Sequence, residues 1–410
     1  MLKRFYLLLL FAFIVFSCSE ESNPTFDTEN FTTIFDNNKF NIGYSPIDMV
    51  QTPDGGYLIL GSRKLTDSNF SGIYLLKADK NGNFISESEV DDTYVNPVGR
   101  FTQIGELYYF FSMEYPSLQA NITSVDVNLE NVTFTPVSGI NGVNPTYPSV
   151  ASFDVGDNSF LLQCYDHENR QTGLFIVPIS GATSAGKSFT IGVGAADNVD
   201  ESIINSFLYA GRKFPYEVGK VGSLYFFNGF FDFNFSLVFT DLNPDNDPNG
   251  VVFGQQPDFN GGFSSVVSLS GSKFAASTFY FGENYVMPNA ALTMFGPSSM
   301  TPDQLSGLSF PELVTNAKVK VLRSTINTKN VLIYGSDTKT KQIGLYFYDE
   351  ANAAFLGSRY LGFSNPFEIA SVINTSDGGI AVCGTTYVAG RFARICIFKL
   401  SKEKIAENVK

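Results

Sequence analysis

The sequence predicts an all-β fold, and three observations carry that prediction. The first is a repeat: Thr52-Pro53-Asp54-Gly55-Gly56-Tyr57 returns near the C-terminus as Thr375-Ser376-Asp377-Gly378-Gly379-Ile380. Asp54 and Gly61 are seven residues apart, as are Asp377 and Gly384, and Lys77 and Lys399 follow those glycines by sixteen and fifteen. The second is a text of short apolar runs without helical period, such as residues 107–111, 174–177, 224–227 and 345–348. Many of these runs do not alternate with polar residues, which is how a strand reads when both of its faces are covered. The third is composition: 41 Phe, 20 Tyr and 36 Gly favour strands joined by turns, and 44% hydrophobic against 16% charged residues supplies ample core. Antiparallel sheets stacked face to face in a ring cover both faces of each sheet, so the expected architecture is a β-propeller. Apolar runs and turn signals divide it into about seven four-stranded blades.

The N-terminus is read apart from the fold. Lys3 and Arg4 precede an apolar run over residues 5–16 that is too short to span a bilayer and has the layout of a secretory signal. Residues 1–17 are therefore taken as a signal peptide. Val15-Phe16-Ser17-Cys18 resembles a bacterial lipobox, and the resemblance implies that Cys18 becomes the acylated first residue and holds the protein to a membrane. Ser19-Glu20-Glu21-Ser22 resembles the acidic flank that directs lipoproteins of Bacteroidetes-type bacteria to the cell surface, which implies an outer-membrane location. Residues 18–30 read as a polar tether.

The propeller is assigned to residues 31–403, with residues 404–410 as a tail. Its blades are placed at 46–90, 98–139, 147–192, 214–257, 261–314, 318–361 and 366–400. The third strand of blade five is unsettled by Met287-Pro288. Blade seven holds three strands, and residues 31–40 are expected to supply its outer strand and lock the ring, removing two exposed edges. Six or eight blades are also compatible, because the 323 residues from Asp54 to Asp377 imply about 54 per blade against the ~40–50 usual. The long 193–213 insertion absorbs part of that excess.

Within the repeat, Asp-Gly-Gly reads as the turn between strands one and two, since Gly tolerates positive φ and Asp bonds its own backbone. Asn81-Gly82 reads as a two-residue hairpin between strands three and four. With these turns and the Lys77-Ala78-Asp79-Lys80-Asn81-Gly82-Asn83 ending in view, the chain resembles propeller repeats of secreted and surface proteins of Bacteroidetes-type bacteria. That resemblance implies a scaffold and not an activity.

Several motifs invite chemistry. Gly181 to Ser188 matches the Walker A pattern, but that mechanism needs a helix to start at Lys187, and Phe189-Thr190-Ile191-Gly192 is strand-like. The segment is expected to be a third-to-fourth strand turn, with no nucleotide bound. Asp241, Asn243 and Asp245 place oxygen ligands at the first, third and fifth positions of a calcium-type loop, but the glycine at six and the acid at twelve are missing. A surface turn is the expected reading, with calcium as the other. Cys383 and Cys396 fall opposite each other if their strands turn at Ala389-Gly390. A disulfide is then conceivable, though two buried thiols are favoured. The single His, His167, sits in Asp166-His167-Glu168-Asn169-Arg170, a loop expected to share a rim with the 193–213 insertion and its Arg212. Asp166, His167, Glu168, Arg170 and Arg212 form the candidate ligand-binding set. A carboxylate pair for polysaccharide cleavage could be drawn from Asp166, Glu168 and Glu201.

A net charge of −13 and a pI near 4.6 exclude a nucleic-acid partner, which needs a basic stripe. One His and four Cys leave little for transition-metal chemistry, and no cofactor is expected. The expected function is a membrane-anchored, non-enzymatic binding or interaction propeller with a glycan, peptide or protein ligand. The alternative is an extracytoplasmic polysaccharide hydrolase or lyase working from the loops of blades three and four.

Overall fold

In the computed structural model, which describes residues 29–37, 42–140, 142–153, 156, 158–192, 198–256, 261–294, 299–388 and 392–409, antiparallel hairpins follow one another from Tyr44 to Leu400. Cys18, the signal and most of the tether lie outside the described residues. Blade one is Tyr44–Gln51, Tyr57–Lys64, Ser71–Ala78 and Phe84–Glu89, and blade two is Tyr94–Ile104, Leu107–Glu114, Ala120–Asp126 and Thr133–Pro136. The two are joined in one sheet only through the Gly72–Val95 pair. Blade three is Pro148–Ser152, Ser159–Asp166, Gln171–Pro178 and Ala185–Thr190. Blade four is Glu217–Val221, Leu224–Phe231, Asn234–Thr240 and Gly250–Val252, with Ser299–Met300 added in parallel at its edge. Blade five is Gly261–Ser270, Lys273–Tyr280, Glu283–Ala291 and Leu308–Ser309, and blade six is Val319–Ile326, Lys329–Asp337, Ile343–Asp349 and Phe355–Leu361. The third strand of blade five thus continues through Met287 and Pro288, with a shift of register between Met287 and Ala290. Blade seven is Phe367–Asn374, Ile380–Val388 and Phe392–Leu400, completed by Phe31–Phe35. The first strand of each unit touches that of the next, and the last touches the first, so the units form a closed ring.

The ring explains the unalternated apolar runs. In blade one, Leu58 and Leu60 pack with Phe110 of blade two, while Tyr57 and Ile59 pack with Cys383 and Ile397 of blade seven. Successive side chains of a strand point to opposite faces, and here both faces meet another sheet.

The repeated turn does the same work twice. Asp54 Oδ1 accepts from Gly56 N at 3.1 Å and from the Thr52 hydroxyl, and Asp377 Oδ1 accepts from Gly379 N at 3.0 Å and from the Thr375 hydroxyl at 2.6 Å. The repeated lysine belongs to the same unit. Lys77 stands opposite Leu58 and Lys399 opposite Ala381, each four residues past its turn Asp, and the buried Lys399 Nζ lies 2.7 Å from Asp377 Oδ2. Asn81-Gly82 joins strands three and four as expected, but not as a two-residue turn. Asp79 Oδ1 accepts from the amides of Asn81 and Asn83, both at 2.8 Å, so the loop runs over residues 79–83. Gly82 takes φ +79°, and a Cβ there would strike Phe31 of the closing strand.

The cysteine register differs by one residue from the expected one. Cys383 pairs with Ile397 and Cys396 with Gly384, because three residues rather than two separate the paired ends Val388 and Phe392. A one-residue slip sends a side chain to the other face of the sheet. Cys383 accordingly packs toward blade one and Cys396 toward blade six, and both are free buried thiols. Burial pushes the Cys396 thiol up to about 12. A short helix, Lys402–Ala406, follows blade seven and buries Ile405, and Val409 beyond it also packs against blades six and seven.

Closure rests on Phe31–Phe35, which pairs antiparallel with blade seven from Phe31–Lys399 to Phe35–Ile395; Asp36 and Asn37 lie past its end, and residues 38–40 of the expected strand lie outside the described residues. Arg394, only 2% exposed, locks it by donating to Asp36 Oδ1 at 2.9 Å and to the Ile42 carbonyl at 2.8 Å. Removing one partner of a buried ion pair leaves the other uncompensated and costs about 3 kcal/mol or more. Asp36 keeps part of its surface in water, so Arg394→Met is expected to lower the unfolding free energy measured in urea by up to about 3 kcal/mol and to speed hydrogen exchange first in residues 31–35; an unchanged unfolding free energy would remove the lock.

Candidate functional site

The first strands of all seven blades enclose a central channel of about 1050 Å³. Seven charged side chains line it: Arg100, Lys213, Lys318 and Lys320 against Asp48, Glu217 and Glu368. Some of these are committed to the scaffold. Asp48 accepts from Met49 N at 2.8 Å and, across to blade two, from Phe101 N at 2.9 Å. Glu368 accepts from the Tyr387 hydroxyl at 3.2 Å, and Lys213 Nζ donates to the Ser206 and Leu208 carbonyls, both at 2.7 Å.

The remaining charges influence one another electrostatically without pairing. Glu217 is partly open to channel water yet enclosed by protein, and that enclosure pushes its carboxyl above the usual range, while Lys320 and Arg100 pull it back. The protein around Lys318 lowers it below the ordinary lysine value, as does neighbouring Lys320, with Asp337 and Glu368 opposing, although its side chain remains exposed to channel water. Lys213 is lowered to about 8 by enclosure and by Lys318, although part of its surface still meets water. Asp337 lies just behind this group and accepts from Ile369 N of blade seven at 2.6 Å. Burial raises its carboxyl to about 7, against that hydrogen bond.

One mouth of the channel is crossed by the insertion. Helix α1, Asn198–Phe207, buries Val199, Ile203 and Phe207 among Leu65, Val95, Tyr147 and Phe230, side chains from blades one to four. These positions recur every four residues and make one apolar stripe. The chain then continues to blade one, where Leu208 bridges Phe70 and Tyr209 N donates to the Asn69 carbonyl at 2.7 Å. Ser206, Phe207, Tyr209 and Lys213 of this strap form part of the channel wall. Lys213 caps the C-terminal end of α1, where unsatisfied carbonyls favour a cation.

The expected rim cluster is brought together in part. His167 Nδ1 lies 2.9 Å from Asp200 Oδ1, and the Tyr165 hydroxyl donates to the same oxygen. The only histidine thus meets the insertion, as the rim argument anticipated, and the contact fixes the start of α1. Asp166 is buried, and its carboxylate accepts from Asn169 N at 3.0 Å and Asn169 Nδ2 at 2.8 Å, which is turn chemistry. Glu168 is exposed on that turn, and Arg170 closes it with φ +52°. Arg212 stacks its guanidinium 5.3 Å over the Phe214 ring, beside a second cavity of about 780 Å³ on the strap.

The two lookalike motifs meet each other. Lys187 lies in a strand, not at a helix start, and its ammonium donates to the Asn243 carbonyl at 2.9 Å and to the Asn246 carbonyl. Asp241 spends its oxygens on Asn243 N at 2.9 Å and Asn246 Nδ2 at 2.7 Å, and Asn243 Oδ1 accepts from Asp245 N at 3.1 Å. The calcium-like loop thus wraps a resident lysine. Among the described residues no group of three or more His, Cys, Asp or Glu is placed to hold a metal, and no helix is long and apolar enough to cross a membrane.

Neither a protein-family model nor a curated protein sequence matches this chain. Solved structures do resemble it. The β-propeller domain of the Trilobed protease from Pyrococcus furiosus is 9% identical at a TM-score of 0.44, covering 90% of this chain and 93% of that one. The Dos1 propeller is 12% identical at 0.42, covering 88% and 92%, and Sqt1 from Chaetomium thermophilum is 13% identical at 0.46, covering 90% and 92%. Identities this low bear on the propeller fold alone.

Asp337 makes the site sensitive to pH. Its folded value, about 7, lies above the ordinary carboxylate value of 3.8, so its contribution is fully present below about pH 4 and is lost as pH rises through 7. Asn at this position keeps an acceptor for Ile369 N without titrating. Asp337→Asn is expected to match the parent in urea at about pH 4 and to exceed it by up to about 4 kcal/mol at about pH 8. Equal midpoints at both pH values would place the carboxyl in an ordinary environment.

Proposed function

We propose that this chain is a surface-anchored bacterial lipoprotein whose propeller is a non-enzymatic binding module, taking a glycan, peptide or protein-borne group in its central channel. The observation that carries the reading is the channel itself: about 1050 Å³, at the size of a ligand site, with charged side chains converging from several blades. The anchor is supported by Val15 to Cys18 and by the basic and apolar residues ahead of them. Lipidation at Cys18 would hold the ring near an outer membrane, with the polar residues that follow as a leash. Cys18→Ala is expected to move the protein from the membrane fraction to the soluble fraction, and unchanged fractionation would sink the anchor.

A second reading, a polysaccharide hydrolase or lyase, is favoured by one observation: the raised carboxyls of Glu217 and Asp337, since catalytic acids are tuned in this way. Against it, the Asp337 oxygen Oδ1 holds a backbone amide, and Asp166 of the originally expected set is held in its own turn. The readings separate in one experiment on the full chain in non-ionic detergent, in which oligosaccharides are screened by thermal shift while reducing ends and unsaturated products are assayed. Stabilisation without turnover is expected. Turnover abolished by Glu217→Gln would replace the binder by the enzyme, and no shift with any sugar would remove glycans as the ligand.

A further inference from the structure

The channel charges specify what kind of ligand enters, an inference that rests on the channel being the binding site. Arg100 of blade two, Glu217 of blade four, and Lys318 and Lys320 at the start of blade six face one cavity, and among the described residues no hydrogen bond or ion pair holds any of their side chains. They are close enough to act on one another, Glu217 with Lys320 and Arg100, and Lys318 with Lys320. The ring does not need charge at these places. Ser45, Ser149, Ser264 and Ser371 occupy the same channel wall on other blades. Arg100 and Lys318 are solvent-exposed in the channel and Glu217 and Lys320 half-buried, so in the free ring water solvates charges that no protein group pairs, and a ligand that displaces this water supplies the partner. The sign is also informative, because a chain of net charge −13 places four cations against three anions here.

We propose that the channel binds a small hydroxylated oxyanion, a sugar carrying a carboxylate or a phosphate. Arg100, Lys318 and Lys320 take the oxyanion, for which guanidinium and ammonium groups are matched. Glu217 accepts from a neighbouring hydroxyl, so a bare anion without donors is disfavoured beside it. A single phosphate would leave most of the cavity to water, whereas a sugar brings hydroxyls that the lining serines can meet.

The test is calorimetric titration of the full chain in non-ionic detergent with glucuronate, glucose 6-phosphate and glucose, which separates carboxylate from phosphate and both from the neutral ring. At least one anionic probe is expected to bind roughly tenfold or more tighter than glucose, with affinity falling as salt is raised. Lys320→Met and Arg100→Gln are each expected to weaken that probe by about tenfold. Lys320→Gln serves where the Met variant does not fold, and the melting curves of the variants report folding. Undiminished anion binding in these variants overturns the proposal. Glucose binding as tightly as the anions, and lost when Ser265→Trp fills the channel, overturns the anion preference while keeping the channel as the site. Binding of no probe at millimolar concentration overturns the anion proposal, and a thermal shift with other oligosaccharides would then show that the channel reading survives it.

Discussion

The structure depends on closing a ring whose blades are apolar on both faces. A sheet such as blade one, with Tyr57 and Ile59 on one face and Leu58 and Leu60 on the other, cannot stand at an open end, because one of those faces would meet water. Pairing the N-terminal strand with the last strand of blade seven removes both the open faces and the free edges. Other contacts reinforce the same seam. Ser376 N donates to Gln51 Oε1 at 2.7 Å, joining the two copies of the repeated turn across it, and Arg394 ties the incoming chain to blade seven. The repeat is thus the punctuation of each blade and, where its two good copies stand side by side, part of the closure.

What was legible in the sequence was what is local. Turn chemistry is spelled within five residues, so Asp54-Gly55-Gly56 and Asp377-Gly378-Gly379 could be read as turns without any partner in view. The unalternated runs reported covering on two sides, since that is a property of the strand itself. The repeated lysine was counted as spacing only. In the second copy its ammonium is held by the turn carboxylate, a contact that appears only when strand three folds back beside strand two. The cysteine pairing failed because register depends on how many residues the loop leaves unpaired, and a difference of one residue reverses the face.

The candidate site was less legible because its parts are far apart in the chain. That His167 would meet the insertion followed from propeller topology, but that Asp200 would be the residue to meet it did not. The contact positions α1 and presents no open cluster. Lys187 and the Asp241 loop were weighed separately as phosphate and calcium sites, when each is the other's partner. The channel charges left a faint signal: Lys318-Val319-Lys320-Val321 alternates, and a first strand with one polar face must turn that face to a channel. Arg100 is the only charged residue of its strand, and Glu217 shares its strand with Lys220 three residues on, so neither gave such a pattern.

The strap changes which part of the ring is open to function. Long loops on a rigid scaffold usually carry a site, and the 193–213 insertion is the longest here. Its apolar stripe instead makes a small core over blades one to four, and its C-terminal end enters the channel wall through Tyr209 and Lys213. The insertion shapes and narrows one mouth, while the groups left without partners lie inside, on first strands that are the most rigidly held elements of a ring. The backbone of such strands is already ordered, so the freedom lost when a ligand arrives is that of the side chains of Arg100, Lys318 and Lys320 alone. At the rim, by contrast, His167 is already engaged by Asp200 and Arg212 lies against the Phe214 ring, so these groups serve the strap before any ligand.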